Sequence, residues 1–226
     1  MSNFATDILR AFETARPEPD WRRPAALLAG LSGLAQEAAL DLGVARRDAA
    51  LMAWRRALFG SQWRAFAQCP ACGTMLEYEL PTAPEMFAAP EDVLEISAEG
   101  RVWRLRWPNS RDLARAAACP DRDAARGQLL ARMLETPADD APTALLLEAV
   151  AAAHKSCWSV DLQCCACPRA WNVLFDAGEF LWRELRAAAR RILREVDAIA
   201  RVYHWSEAEI LAMSEPRRAA YLELVS

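Results

Sequence analysis

The chain contains QCPACG at residues 68–73 and QCCACP at residues 163–168. Each stretch is a Cys-x-x-Cys turn that presents two thiolates to one cation, and two such turns complete the four-sulfur tetrahedron that zinc prefers. Because the turns lie far apart in sequence, a shared ion would tie remote segments together. The spacing therefore predicts one structural zinc site, with ligands Cys69, Cys72, Cys164 and Cys167.

The two turns differ in the residues around their cysteines. Gly73 follows the first pair and suits a tight turn, because glycine tolerates a positive φ. The second pair has Pro168 and Arg169 after it and no glycine. It also has a further thiol, Cys165, beside Cys164, so the sequence leaves open which of these two residues binds the ion.

Other roles for the cysteines depend on their context. A catalytic zinc needs an open coordination position, which four thiolates do not leave. A thioredoxin-like redox pair needs a strand-and-helix context, whereas both pairs here precede predicted strands. Metal-free cysteines that pack in the core are the remaining alternative. We interpret Cys119 and Cys157 as small core residues, and His154 and His204 as surface or packing residues and not ligands.

Length and composition restrict the class of protein. The 226 residues are 54% hydrophobic and 26% charged, as in a globular protein with a sizeable core. The seven cysteines are an odd number, which in a reducing compartment favours metal binding over disulfides. The N-terminus has no signal-peptide pattern and the apolar runs are too short to cross a bilayer. We expect a soluble protein, cytoplasmic when made, that makes no membrane contact.

The charge distribution argues against nucleic acid as a partner. The formal net charge is −4, and no segment carries the strong positive excess of a nucleic-acid footprint. The sequence also contains no nucleophile–base pair, no phosphate-binding loop and no H-E-x-x-H motif. These features predict a protein that is not an enzyme and has no small-molecule substrate.

The predicted fold class is α+β and mainly α-helical, with a split, zinc-ribbon-like antiparallel β module. Residues 1–60 form an N-terminal helical region, and residues 61–178 form the β module with a helical insertion at 108–155. Residues 179–226 form a C-terminal helical region with one long helix and two short ones. We expect the three regions to pack as one unit.

Periodicity and capping residues locate the N-terminal helices. Apolar positions predict helices over residues 4–15, 24–40 and 46–59, the last ended by Gly60. Alternation predicts a strand at MLEYEL, directly after the first cysteine pair.

The middle of the chain predicts a hairpin and then helices. Residues 93–108 alternate around a turn at Ala98–Gly100, with Trp103, Leu105 and Trp107 on one face. Ser110 is the expected cap of the next helix. Further helices are predicted over 121–135 and 143–155, and the strands WSVDLQ and WNVLF flank the second cysteine pair.

The C-terminal region has the longest periodic signal. From Phe180 to Tyr203 an apolar stripe at helical spacing predicts a long amphipathic helix. Ser206 and Glu209 form a capping-box pattern for the next helix, and Ser214 caps the last one.

The face opposite the apolar stripe is a candidate partner-binding surface. Arginine and aromatic side chains are enriched at interface hot spots. A solvated arginine face with aromatics that close the core is the alternative. The candidate residues are Arg183, Arg186, Arg190, Arg194 and Arg201, with Trp182, Tyr203, Trp205 and Tyr221 near the ends of the row.

The C-terminal block FDAGEFLWRELRAAARRILREVDAIARVYHWSEAEILAMSEPRRAAYLELV resembles the signature of phage-baseplate-type proteins encoded with contractile tails and extracellular contractile injection systems. RRDAALMAWRRALFG, CPACG and RWPNSRDLA also stand in the order of that family, so the resemblance covers most of residues 44–226. The chain departs from the family pattern at His204, where glycine is expected, and in its glycine-less second knuckle.

The resemblance implies a non-enzymatic baseplate component or assembly factor that contacts other baseplate, hub or tape-measure proteins. It leaves open whether the protein stays in the particle as a subunit or acts as a transient chaperone. The rival interpretation is a nucleic-acid-binding zinc ribbon that uses the C-terminal helices as a helix-turn-helix. The acidic residues of 206–226 argue against it.

Overall fold

The computed structural model describes residues 4–80, 88, 91–154 and 159–225. The helices are α1 (Phe4–Ala15), α2 (Arg23–Ser32), α3 (Gln36–Asp41), α4 (Val44–Phe59), α5 (Ser110–Ala117), α6 (Arg122–Met133), α7 (Thr143–Ala153), α8 (Ala177–Tyr203), α9 (Glu207–Leu211) and α10 (Glu215–Val225). The strands are β1 (Arg64–Gln68), β2 (Met75–Glu79), β3 (Val93–Ala98), β4 (Arg101–Arg106), β5 (Ser159–Gln163) and β6 (Ala170–Leu174). They pair as three antiparallel hairpins, β1–β2, β3–β4 and β5–β6.

The largest core joins the helices of the two chain ends. The predicted apolar stripe of α8 is confirmed, and its buried side chains pack against α1, α2 and α4. Phe12 and Trp182 stack within this core with ring centroids 5.7 Å apart. The stripe consists of Leu181, Leu185, Ala189, Ile192, Val196 and Ile199.

The helix predicted over 24–40 is two helices, α2 and α3. Gly33 adopts φ +76° at the end of α2, and its amide donates to the Ala29 carbonyl. A left-handed residue ends an α-helix, so the apolar periodicity continues past the break while the backbone turns.

A second core lies between the β3–β4 hairpin and the inserted helices. Trp103, Leu105 and Trp107, predicted to share one face of the hairpin, are all buried, and β3 ends at Ala98 before the turn. They pack against α6 and α7, mainly against Leu130, Met133, Leu146 and Val150. The β3–β4 hairpin, predicted to be part of the cysteine module, forms a separate sheet whose apolar face packs against the inserted helices.

The cap of α5 differs from the predicted one. Asn109 is the N-cap: its side chain accepts from the Asp112 amide, and the Asp112 carboxylate accepts from the Asn109 amide. Ser110 is instead the first helical residue, buried, and its hydroxyl accepts from Arg47. Serine and asparagine are both good N-cap residues. Asn109 has the extended backbone that an N-cap residue adopts, whereas Ser110 is already helical.

A buried polar cluster ties α4 to the insertion. Arg47 pairs with Asp48 at 2.7 Å and donates to the Ser110 hydroxyl of α5 at 2.9 Å. The His154 ring at the end of α7 lies on Trp107, with its Nε2 atom 3.4 Å from an Asp48 oxygen. His154 is therefore a packing residue.

Local capping residues end α8 and start α9. His204 ends α8 with φ +56°, a conformation that glycine adopts more readily. The predicted capping box of Ser206 and Glu209 is present. Buried Arg218 holds α10 against α8 through Glu195 (3.4 Å) and the Met213 carbonyl (2.8 Å).

The predicted fold class is confirmed: the protein is α+β, mainly helical, with small antiparallel hairpins and a long C-terminal helix. Strand β1 was not predicted. Predictions for Lys155, Cys157, Trp158 and the loop after Leu80 fall outside the described residues. No helix in the described ranges has both the length and the apolar character to cross a membrane.

Candidate metal centre

The two cysteine motifs form the turns of two separate hairpins. In β1–β2 the Cys69 amide donates to the Thr74 carbonyl, and in β5–β6 the Cys164 amide donates to the Arg169 carbonyl, both at 2.9 Å. The two turns therefore have the same length and the same closing hydrogen bond.

The four predicted ligands lie together. Their sulfur atoms are all within 4.8 Å of one another, and this is the one such group found among the described residues. Two sulfur contacts join the hairpins: Cys69 Sγ to Cys167 Sγ is 3.7 Å, and Cys72 Sγ to Cys164 Sγ is 3.6 Å. The first cysteine of each pair is buried, Cys72 is exposed and Cys167 is half-buried.

These distances fit a single ion at the centre of the cluster. Four thiolates at about 2.3 Å from a tetrahedral ion lie roughly 3.8 Å apart. The two sulfur pairs that join the hairpins are within about 0.2 Å of that edge length. The same distances are far longer than the roughly 2.05 Å of a disulfide. The cluster can therefore hold a metal ion with four sulfur ligands.

The turns reach this arrangement by different backbone paths. Gly73 has φ +75°, and its amide donates to the Cys69 carbonyl at 3.0 Å. Pro168 stands at the corresponding position in the second turn, where it has no amide hydrogen to donate. There the Ala166 amide donates to the Cys164 sulfur at 3.3 Å.

Cys72 and Cys167 differ in acidity. Hydrogen bonds with Thr74, and then with neighbouring thiols, lower the pKa of Cys72 to about 6. At Cys167 the Arg169 amide hydrogen bond favours the thiolate, but burial and the other three sulfurs outweigh it and raise the pKa to about 12. A cation held by all four sulfurs needs every thiol deprotonated, so its binding would release protons.

Aromatic packing fixes both hairpins to the helices. Trp63, just before β1, stacks on Phe180 of α8 with centroids 5.7 Å apart, and Phe175, just after β6, lies 5.3 Å from the same ring. These side chains share a third core with Met52 of α4.

Arg55 completes this attachment. Its guanidinium is buried and binds Glu184 of α8 through two hydrogen bonds of 2.6 and 2.7 Å. A further nitrogen donates to the carbonyls of Gly60 and Gln62, in the segment that leads into β1. The guanidinium also lies 4.5 Å from the centroid of the Trp63 ring. No sequence signal pointed to Arg55, because its partner in α8 lies far along the chain.

The structure decides between Cys164 and Cys165. Cys164 belongs to the cluster, whereas Cys165 is exposed and lies outside it. Cys119 is half-buried and contacts the Arg115 carbonyl and Gln128, so the prediction of a core position was wrong for this residue.

The arginine row lies on one exposed face of α8, opposite the buried stripe. Arg183 and Arg201 pair with the acidic residues four positions before them, Glu179 at 2.6 Å and Asp197 at 2.9 Å. Arg186 lies over the Trp182 ring. Arg190 and Arg194 are exposed, and Arg194 donates to the Arg190 carbonyl.

The aromatic part of the candidate surface needs correction. Trp182 is buried, because it lies at the edge of the stripe that faces α1, so it cannot contact a partner. Tyr203, Trp205 and Tyr221 are half-buried and contact one another with centroids 4.7 to 5.3 Å apart. They close the end of the main core.

Comparison with known proteins adds no relative: no family model matches the chain, and neither the curated proteins nor the solved structures contain a significant match.

Proposed function

We propose that the protein is a zinc-stabilised, non-enzymatic component or assembly factor of a contractile-tail or injection-system baseplate. The observation that carries the structural part is the sulfur cluster, in which four thiolates from two remote hairpins can surround one ion. An ion with four protein ligands has no open position for a substrate, so its role is to join the hairpins.

Zinc is the metal that we assign to this site. Tetrahedral four-sulfur sites hold zinc or iron, and a structural role without redox chemistry suits zinc. Elemental analysis of protein purified without chelator should give about one zinc per chain. Iron in that amount, with the visible absorption of an iron–thiolate centre, would replace the assignment, and absence of both metals would remove it.

The baseplate assignment is supported by the C-terminal block and by the order of the upstream motifs. Those segments build α8, α9 and α10. They also supply side chains that pack against the two cysteine-bearing hairpins, β1–β2 and β5–β6, which we call the metal module. A rigid body of this kind would act through its surface. Its partners would be other baseplate, hub or tape-measure proteins, and it would be made in the cytoplasm.

The nucleic-acid alternative receives less support from the same helices. A helix-turn-helix would need exposed basic residues on α10, but Arg218 is buried against Glu195. Arg217 is exposed, but the exposed acids Glu215 and Glu223 lie on the same short helix and outnumber it. This surface is poorly suited to phosphate.

Deletion of the gene tests the proposal. In a host that makes the particles, deletion should leave incomplete or baseplate-defective particles under the electron microscope, and a plasmid copy should restore them. Normal particle yield and activity without the protein would contradict the proposal. Mass spectrometry of intact particles then separates a resident subunit from a transient chaperone.

A further inference from the structure

The four cysteines of the cluster differ in their exposure to solvent. Cys69 and Cys164, the first cysteine of each pair, are buried, and Cys167 is half-buried. Cys72 is the one exposed member of the group. A dissolved reagent therefore reaches the Cys72 sulfur more readily than the other three, and exposure is one of the properties that make a cysteine open to oxidation.

The exposed sulfur lies against a buried one of the other hairpin. Cys72 Sγ is 3.6 Å from Cys164 Sγ, so the two atoms must approach by roughly 1.6 Å to reach the length of a disulfide. A change between staggered rotamers moves a cysteine sulfur by more than this, so side-chain rotation is sufficient in magnitude. Cys69 and Cys167 form a second pair across the hairpins, at 3.7 Å.

We propose that Cys72 is an oxidation site, at which a hydroperoxide converts the metal centre into a disulfide-linked form. The proposal rests on the proposed function, in which an ion bound by four thiolates joins the two hairpins. It adds a means of regulating that joint, because an oxidant that reaches one exposed sulfur finds a second sulfur of the cluster in contact with it.

The reaction takes two steps. The Cys72 thiolate attacks the hydroperoxide: a sulfur–oxygen bond forms, the oxygen–oxygen bond breaks, and Cys72 becomes a sulfenic acid while hydroxide or alkoxide leaves. The Cys164 thiolate then attacks the Cys72 sulfur, so that a disulfide forms, the sulfur–oxygen bond breaks and hydroxide leaves. The two sulfurs together lose two electrons, and the peroxide gains them.

The disulfide removes two of the four ligands and keeps the hairpins joined. Cys69 and Cys167 remain, and two thiolates do not complete a tetrahedral site, so the chain can no longer hold the ion tightly. The new bond links turns that are 92 residues apart in sequence, as the ion does. A second equivalent of peroxide can link Cys69 to Cys167 in the same way. Oxidation thus replaces one cross-link by another.

Peroxide treatment of full-length, metal-loaded protein tests the proposal. Release of zinc is followed with a chromogenic indicator, and disulfides are mapped by mass spectrometry after alkylation without reduction. We expect release of about one ion per chain together with a Cys72–Cys164 disulfide. Dimedone, which traps sulfenic acids, should label Cys72 before Cys69 or Cys164. Thiol reductant followed by zinc should restore the metal-loaded form.

The neighbouring thiol Cys165 provides the matched control. It is also exposed but lies outside the cluster, so its oxidation leaves all four ligands intact. Cys165→Ser should therefore release zinc within about 2-fold of the wild-type rate, because peroxide attacks accessible thiolates one at a time. A loss of rate of about 10-fold in this variant, or a disulfide that contains Cys165, would make Cys165 the oxidation site and overturn the proposal. Labelling of another ligand before Cys72, or a disulfide within one turn, would also overturn it.

The outcomes separate this proposal from the broader one. If the protein contains zinc and peroxide does not release it, the oxidation proposal fails and the structural zinc stands. If the protein contains no metal, the zinc assignment fails, and dimedone labelling with disulfide mapping of the reduced protein still decides whether Cys72 is the oxidation site. Gene deletion tests the assembly role independently of both.

Discussion

That Cys164 and not Cys165 belongs to the cluster follows from the alternation of side chains along a strand. In β5 the inward-facing residues are Val160 and Leu162, and the next residue on that face is Cys164. In β1 the same alternation leads from Ala65 to Cys69. Each first cysteine thus continues the buried face of its strand, whereas Cys165 points to solvent.

Substitution of single cysteines should therefore separate ligands from neighbours. Cys72→Ser should lose the ion and lower the melting temperature by about 10 °C, since it removes a cross-link between remote strands worth about 3 kcal/mol. Cys165→Ser changes the same kind of atom outside the cluster and should keep both metal and stability. Elemental analysis and thermal unfolding measure the two effects, and equal behaviour of the two variants would contradict the ligand set.

Contacts between secondary-structure elements depend on a few buried charged side chains. Arg55 holds α4, α8 and the start of β1 together, and its hydrogen-bonding capacity is used on Glu184 and two carbonyls. Breaking a buried ion pair costs more than breaking an exposed one, because the remaining charge stays buried.

Removal of Arg55 should weaken this junction. Arg55→Ala should lower the free energy of unfolding by about 3 kcal/mol, and Arg55→Lys should recover only part of it, because lysine lacks the planar fork. Arg183→Ala removes an exposed pair with Glu179 and should change stability by less than about 0.5 kcal/mol. Urea unfolding measures all three; similar losses for Arg55→Ala and Arg183→Ala would contradict the role of burial.

Asp48 should make the stability of the junction between α4 and the insertion depend on pH. Burial disfavours its charge, but Arg47 and His154 outweigh burial and hold the pKa of Asp48 below its ordinary value of 3.8. A depressed carboxyl pKa contributes stability above the unfolded-state value, and this contribution is lost as the pH falls through the lower, folded-state value.

The stability difference between the wild type and Asp48→Asn should therefore depend on pH. At pH 7 the variant should be less stable by about 3 kcal/mol, because Arg47 loses its buried partner. The difference should begin to shrink only below the ordinary pKa of 3.8, and the two proteins should converge as the pH falls through the lower folded-state value, where Asp48 becomes protonated in the folded wild type. Urea unfolding between pH 2 and 7 checks this; a constant difference would show that the Asp48 charge does not matter.

The sequence predicts the elements better than their junctions. Cysteine spacing located the four cysteines of the cluster, and apolar periodicity located α1 and the stripe of α8. Periodicity missed the break at Gly33 because the apolar pattern continues across it. Short β1 was missed because its strand character comes from pairing with β2. Arg55 and Glu184 meet only in the folded chain, so no local pattern could identify them.

At the scale of the whole molecule, three cores meet around α4. Helix α4 contributes Leu51 to the helical core and Met52 to the core of the metal module. It contributes Ala45 to the core between the β3–β4 hairpin and the inserted helices. The helical core has the largest set of buried side chains and contains none of the cysteine ligands. Its stability should depend less on the metal than that of the hairpins.

Metal removal should therefore loosen one part of the molecule before the others. Two-stranded hairpins are marginally stable alone, so loss of the ion should expose the backbone amides of β1–β2 and β5–β6 to solvent. The α8 amides between Leu185 and Ile199 should stay protected, because their side chains remain in the helical core. Hydrogen exchange followed by mass spectrometry, with and without chelator, measures both regions. The exposed-thiol variant Cys165→Ser serves as the control, since it should show the same exchange pattern as the wild type. Uniform deprotection of the chain would mean that the ion holds the whole fold; no change in the hairpins would mean that it does not join them.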